Sequence, residues 1–171
     1  MKVVIRLEYL LIAATILSGL LAGASIDRFV VGFPAWKHVN ISAWAEYSRH
    51  ADLGNGIFVY PVEAIGSFLL LLISSFIVLK NKKAPVHQLI SFQIYLAALL
   101  AFSGLLLTFF AGPFMLSIKN MNDPFFLQHA FDEFYYWSIF RGIAQVLSFL
   151  ACMWALGKIF DFAITNLQST D

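Results

Sequence analysis

Four apolar stretches, each at or beyond the roughly 20 residues that a membrane-spanning helix requires, limit what this chain can become. They run from about 6 to 31, 57 to 79, 87 to 118 and 133 to 160. Inside a bilayer each span must satisfy its own backbone N–H and C=O groups, which leaves helices or a closed barrel. A few long runs, rather than many short alternating ones, exclude the barrel. Four helices on short connections predict an all-α, integral-membrane, four-helix up-and-down bundle. It forms a single transmembrane domain over 1–171, with outer segments at 34–56 and 119–132.

Composition agrees with that class. The chain is 60% hydrophobic and 12% charged, where a soluble domain has about a quarter of its residues charged. Lys plus Arg is 11 and Asp plus Glu is 10, for a formal net charge of +1. That balance gives no basic footprint for nucleic acid. Cys152 is the single cysteine, so an internal disulfide and a cysteine-based zinc site are both excluded.

The N-terminal run has features of a signal peptide: a basic start at Lys2 and Arg6, and small residues at Ala22-Gly23-Ala24. Its apolar character continues past that point to Val31, so the expectation is a retained first helix. Gly19 and Gly23 form a GxxxG spacing, which predicts close approach of a neighbouring helix. Orientation follows the Lys/Arg bias of short loops. Lys2, Arg6, Lys80, Lys82, Lys83 and Lys158 fall at one end; Arg28, Lys37, Arg49 and Lys119 fall at the other. Both termini are therefore expected in the cytoplasm of a bacterial-type cell, with 34–56 and 119–132 on the outer face.

Ionisable residues gather at that outer end: Asp27, Glu46, Asp52, Glu63, Asp123, Asp132 and Glu133, together with His38, His50 and His129. His38 reads as a solvated interfacial residue and His87 as a helix-start residue near headgroups. Ionisable groups within a membrane are costly to bury and default to a functional reading. In the last span, His129, Glu133, Trp137, Arg141 and Gln145 recur every fourth residue, which predicts one slowly drifting face. Arg141 lies eight residues past Glu133, about 12 Å deeper at 1.5 Å per residue. An unpaired guanidinium there costs at least ~2.5 kcal/mol, so an internal carboxylate is expected beside it. Glu63 is the first choice and Asp27 the second. The pair either fixes helix register or lines a substrate pocket with Trp137 and Tyr60.

The outer segment includes Trp36, Trp44, Tyr47 and Tyr60, which fit an aromatic interface belt. Ser42 is placed to cap a short helix through Glu46. His50 and Asp52 precede Gly54-Asn55-Gly56, a turn signal that allows the segment to fold into the bundle mouth as a lid.

Three chemistries fit these residues. His50 and His129, with a nearby carboxylate, could ligate haem or iron. Alternatively His129 or His50 acts as a base oriented by Glu133 or Asp52, with Arg141 and Trp137 stabilising the anion formed. The third reading is non-catalytic: a haem-, quinone- or lipid-binding membrane subunit. Partners are then a hydrophobic small molecule or lipid, the membrane itself, and a second copy of the chain.

The span count, the run Gly19-Leu20-Leu21-Ala22-Gly23 leading to Phe33-Pro34-Ala35-Trp36, and the Trp137/Arg141 pair together resemble the anthrone-oxygenase-like membrane proteins. That family consists of small bundles named for members linked to oxidising polycyclic phenols. The resemblance implies an oxygenase or oxidoreductase acting on a hydrophobic, aromatic small molecule reached from the membrane. It also implies that Trp137 and Arg141 are pocket residues.

Overall fold

The computed structural model describes residues 2–81 and 83–168 and is helical almost throughout. Lys82, one of the cations that set the expected orientation, lies outside the described residues. Six α-helices follow in order. Helix α1 spans Lys2–Asp27 and runs through a π-helical turn, Arg28–Gly32, into the short α2, Phe33–Trp36. Helix α3, Ile41–His50, leads through a second π-helical turn, Ala51–Asn55, into α4, Gly56–Lys80. Helix α5, Pro85–Ser117, is followed by a 3-10 turn and by α6, Pro124–Gln168. Four of the resulting helical stretches are long and apolar enough to cross a membrane, which makes this an integral membrane protein of the all-α, four-helix-bundle type.

Chain chemistry accounts for the breaks between helices. Pro85 and Pro124 open α5 and α6, positions where the missing N–H costs nothing because it would be unpaired anyway. Asp123 Oδ1 accepts the Phe125 N–H at 2.8 Å and completes the α6 start. Helix α6 therefore begins nine residues before the expected position, and most of the segment 119–132 is helix. Asn40, rather than Ser42, caps α3: its Oδ1 accepts the Ser42 N–H at 2.9 Å. Asn ranks with Ser as a cap, and Asn40 has the extended backbone that the position needs.

Helices α1, α4, α5 and α6 pack as a square, with α1 against α4 and α6, and α5 against α4 and α6. Each is apolar all round, so large side chains such as Val62, Phe76, Phe92, Leu99 and Phe109 remain exposed on its outer side, as lipid-facing residues do. The inward residues form two cores. The lower one, toward the chain termini, gathers Leu7, Leu11, Leu71, Ile90, Ile94 and Cys152. The upper one gathers Phe33, Trp44, Met115, Ile118, Phe131 and Phe134 beneath α3. Trp44 is 0% exposed and meets Phe131 edge-on at 5.0 Å. It is a core residue, not part of an aromatic belt, because α3 lies down on the bundle end and turns this face inward.

Several buried hydroxyls are satisfied by backbone carbonyls, while Ser48 Oγ and Ser75 Oγ are buried without a hydrogen-bond partner. Thr15, Ser18 and Ser74 donate to carbonyls four residues back, while Ser148 donates across to Ala97 O of α5 at 2.9 Å. His87, expected near headgroups, is instead 1% exposed, with Nδ1 3.1 Å from the Asn81 carbonyl at the α4–α5 turn. The GxxxG pair divides: a Cβ on Gly19 would lie 3.1 Å from the Phe149 ring of α6, whereas one on Gly23 would meet nothing within 4 Å. Close approach to α6 thus uses only the first of the two glycines.

Candidate functional site: a two-arginine cavity in the upper bundle

A cavity of about 350 Å³ lies between α1, α4, α5 and α6, below the turn that joins α3 to α4. Its wall is mostly apolar, with Leu21, Phe29, Ile57, Ile65, Leu105, Met115 and Phe134 among its residues. The polar groups on it are Ser25, Arg28, Asp52, Tyr60, Thr108, Ser138, Arg141 and Gln145.

Two π-helical turns shape the upper part. In the first, the Phe33 N–H reaches back to the Arg28 carbonyl; in the second, the Gly56 N–H reaches back to the Ala51 carbonyl. A π turn inserts one residue into the helical register and re-aims the side chains beside it, which is why such turns recur at functional sites. Here they point Arg28 and Asp52 at each other, and the guanidinium and carboxylate form an ion pair. Gly56 makes the second turn feasible, since a Cβ there would lie 2.8 Å from the Ala51 carbonyl oxygen. Asp52 is 8% exposed, and its second oxygen, Oδ2, is buried without a hydrogen-bond partner.

Arg141 enters from α6. Its Nη2 donates to Ser138 Oγ at 3.2 Å, and its Cζ lies 5.5 Å from the Phe134 ring centroid. Arg28 Cζ lies 5.5 Å from the same ring and 5.6 Å from that of Tyr60. Phe134 thus touches both cations, a favourable contact for a desolvated guanidinium. Below them Ser25 Oγ donates to Gln145 Oε1 at 2.5 Å, joining α1 to α6.

The carboxylate expected beside Arg141 is absent from its shell. Among the described residues the ion pairs are Arg28–Asp52, Arg49–Glu46 and His50–Glu46, and neither Glu63 nor Asp27 takes part in one. Asp27 is exposed and Glu63 is half-buried; both lie off the cavity wall. Arg141 is held instead by Ser138 and by the Phe134 face.

The expected α6 face also needs correcting. Its cavity residues are Phe134, Ser138, Arg141 and Gln145, at alternating spacings of four and three. A strict four-residue repeat gains about 40° per step on a 3.6-residue helix. Stepping back from Gln145 through Trp137 and Glu133 to His129 therefore accumulates about 160° and leaves the cavity side. Trp137 stacks on Phe110 of α5 at 5.1 Å, off the cavity wall. Glu133 is half-buried and His129 exposed, the latter edge-on to Phe114.

His50 projects away too: its side chain is 80% exposed and pairs with Glu46 at 3.0 Å. Of the two lid residues expected from the sequence, Asp52 turns into the bundle mouth and His50 does not. Among the described residues no histidine lines the cavity, so they present no imidazole there to an iron or haem. Among the described residues no group of three or more His, Cys, Asp or Glu could hold a metal ion.

Of the residues proposed from sequence, the cavity unites Tyr60, Asp52, Arg141 and Gln145. Arg28, Ser25, Thr108 and Ser138 were not singled out as site residues. Arg28 alone carried a signal, as a cation at the end of an apolar span. No family model, curated protein or solved structure matches the chain.

Proposed function

We propose that this protein binds, within the membrane, a hydrophobic small molecule that carries an anionic or oxygen-rich end. The observation that carries the reading is charge: among the described residues two guanidiniums, Arg28 and Arg141, share one apolar cavity with a single carboxylate, Asp52. One positive charge is left over in a low-dielectric pocket, where it is costly unless a ligand anion compensates it. Arg141 has five N–H donors, and its one hydrogen bond to a side chain goes to Ser138. The rest are free for a carboxylate, phosphate or phenolate. The lysines at 80, 82 and 83 support cytoplasmic termini in a bacterial inner membrane, which puts the cavity in the outer leaflet.

This reading favours the binding subunit over a haem protein, because the described residues offer the cavity no imidazole. Turnover of the bound molecule, the oxygenase or oxidoreductase reading for an aromatic substrate, is favoured by one feature. Asp52 lines the cavity and its Oδ2 has no hydrogen-bond partner, so a carboxylate stands beside the bound molecule as a candidate acceptor for a phenol proton.

Isothermal titration of the detergent-purified protein with oleate and with methyl oleate tests the reading. Oleate should bind more tightly than its ester. Arg141→Gln should weaken oleate about ten- to a hundredfold, the value of a charge-assisted hydrogen bond, and leave the ester unchanged. Equal binding of acid and ester by the wild type would refute a charge-reading pocket.

A further inference from the structure

The exposed residues of the cavity wall lie on one side. Ile57, Tyr60, Pro61 and Ile65 of α4 and Leu116 of α5 are exposed. The residues from α1 and α6 are buried or half-buried, with Leu21 at 7%, Phe134 at 3% and Ser138 at 1%. Overhead, the cavity residues Phe29 and Leu53 pack against the buried core of Phe33, Trp44 and Phe131. Below, Gln145 and Ser25 bridge α6 and α1. The mouth is therefore lateral, between α4 and α5, at a height where both helices face lipid.

Two sequence features sit at that mouth. Gly112 lines the cavity from α5, and a Cβ built on it meets nothing within 4 Å. A proline stands on each bordering helix, Pro61 in α4 and Pro113 in α5. Each removes a backbone hydrogen bond and permits a bend, so the facing helices need not close on each other.

We propose that the ligand passes sideways between bilayer and cavity through this α4–α5 portal, with Gly112 as its threshold. The ligand is then a membrane-resident amphiphile. Its acidic head sits against Arg141, and its apolar part leaves between Ile65 and Leu116 into lipid. A water-soluble anion would need an opening at the loop end, where the upper core packs. The inference rests on the binding function proposed above and adds a ligand class and a route.

The test uses the full chain in phosphatidylcholine vesicles with spin-labelled stearate as probe, reading the motionally restricted fraction by electron paramagnetic resonance. Gly112→Phe fills the threshold, and Thr108→Phe narrows the mouth by a second route should the first variant fold poorly. Gly157→Phe is the control: its added side chain also starts in open space but lies on the lipid-facing side of α6, off the cavity. The wild type and Gly157→Phe should restrict the probe, and the portal variants should lose most of that fraction with unchanged thermal unfolding. Arg141→Gln should lose it as well. Wild-type restriction in a folded portal variant, with loss in Arg141→Gln, overturns the portal and leaves the pocket standing. Wild-type restriction in Arg141→Gln overturns the pocket itself. Inorganic phosphate displacing the stearate at equal concentration would likewise overturn the amphiphile assignment.

Discussion

Arg28 and Asp52 meet across the top of the cavity because each sits in a π-helical turn, one ending α1 and the other opening α4. The pair joins two segments far apart in the chain, and it puts Asp52 on the same cavity wall as Arg141. Its effect is therefore both structural and electrostatic: it secures the α3–α4 turn and neutralises one of the two cavity cations.

Removing one partner leaves the other charged and buried, which typically costs about 3–5 kcal/mol. Asp52→Ala is expected near the lower end of that range, because Arg28 keeps its ring contacts with Tyr60 and Phe134. Arg28→Met should cost a similar amount, and the double variant clearly less than the sum of the two. A double-mutant cycle read by tryptophan-monitored unfolding in detergent measures the coupling. Strict additivity would mean that the pair contributes nothing to holding the turns.

Two glycines on α6 should respond oppositely to alanine. At Gly142 a Cβ would lie 2.3 Å from Phe29 Cε2, so the ring that lines the cavity next to Arg28 must move. Overpacking of this kind costs about 1–3 kcal/mol. At Gly157 the added methyl meets nothing within 4 Å, and the helix should gain up to about 1 kcal/mol from reduced backbone entropy. Thermal unfolding of the two variants side by side gives the comparison. Gly142→Ala should also weaken ligand binding, whereas Gly157→Ala should not.

The spans were legible because membrane insertion allows few solutions. Twenty apolar residues must be a helix, whatever they pack against. Loop segments obey weaker rules, and the π-helical turns at 28–32 and 51–55 have no sequence signature that separates them from ordinary helix. Arg28 and Asp52 consequently escaped recognition as a pair, although both are ionisable residues at span ends. The depth of Arg141 was readable from residue counting. Its neighbours were not, since a spacing of four looks like one face over two turns and rotates away over four. Trp44 misled for another reason: an aromatic near a span end suits a lipid interface or a core equally, and only the lie of α3 decides.

Arg49 fastens α3 to the rest of the upper end. Its Nε donates to Ile118 O at 2.9 Å, and Nη2 donates to Met121 O and to Asn122 Oδ1. Arg49→Ala leaves two carbonyls of the α5–α6 connection without that donor, at about 1–3 kcal/mol for the charged hydrogen bonds lost. Lysine has no planar fork to span these acceptors, so Arg49→Lys should rescue only part of the loss. Hydrogen exchange followed by mass spectrometry should show faster exchange across 41–55 in the alanine variant. Unchanged exchange there would assign the docking of α3 to Trp44 and its apolar neighbours.

The histidines provide a prediction of no effect. His50 faces solvent beside Glu46, and His129 is exposed against Phe114; both lie off the cavity wall. Substitutions at such positions change free energies by no more than about 0.5 kcal/mol, which is roughly twofold in affinity. His50→Ala and His129→Ala should therefore bind oleate within that margin of the wild type, and elemental analysis for iron, copper and zinc should be the same for all three proteins. Stoichiometric iron in the wild type, lost in either variant, would require His50 and His129 to leave the positions described here and converge. That result would replace the two-arginine pocket with a metal centre as the functional site. Unchanged metal content together with a large loss of oleate in Arg141→Gln would instead locate function among Arg28, Asp52 and Arg141.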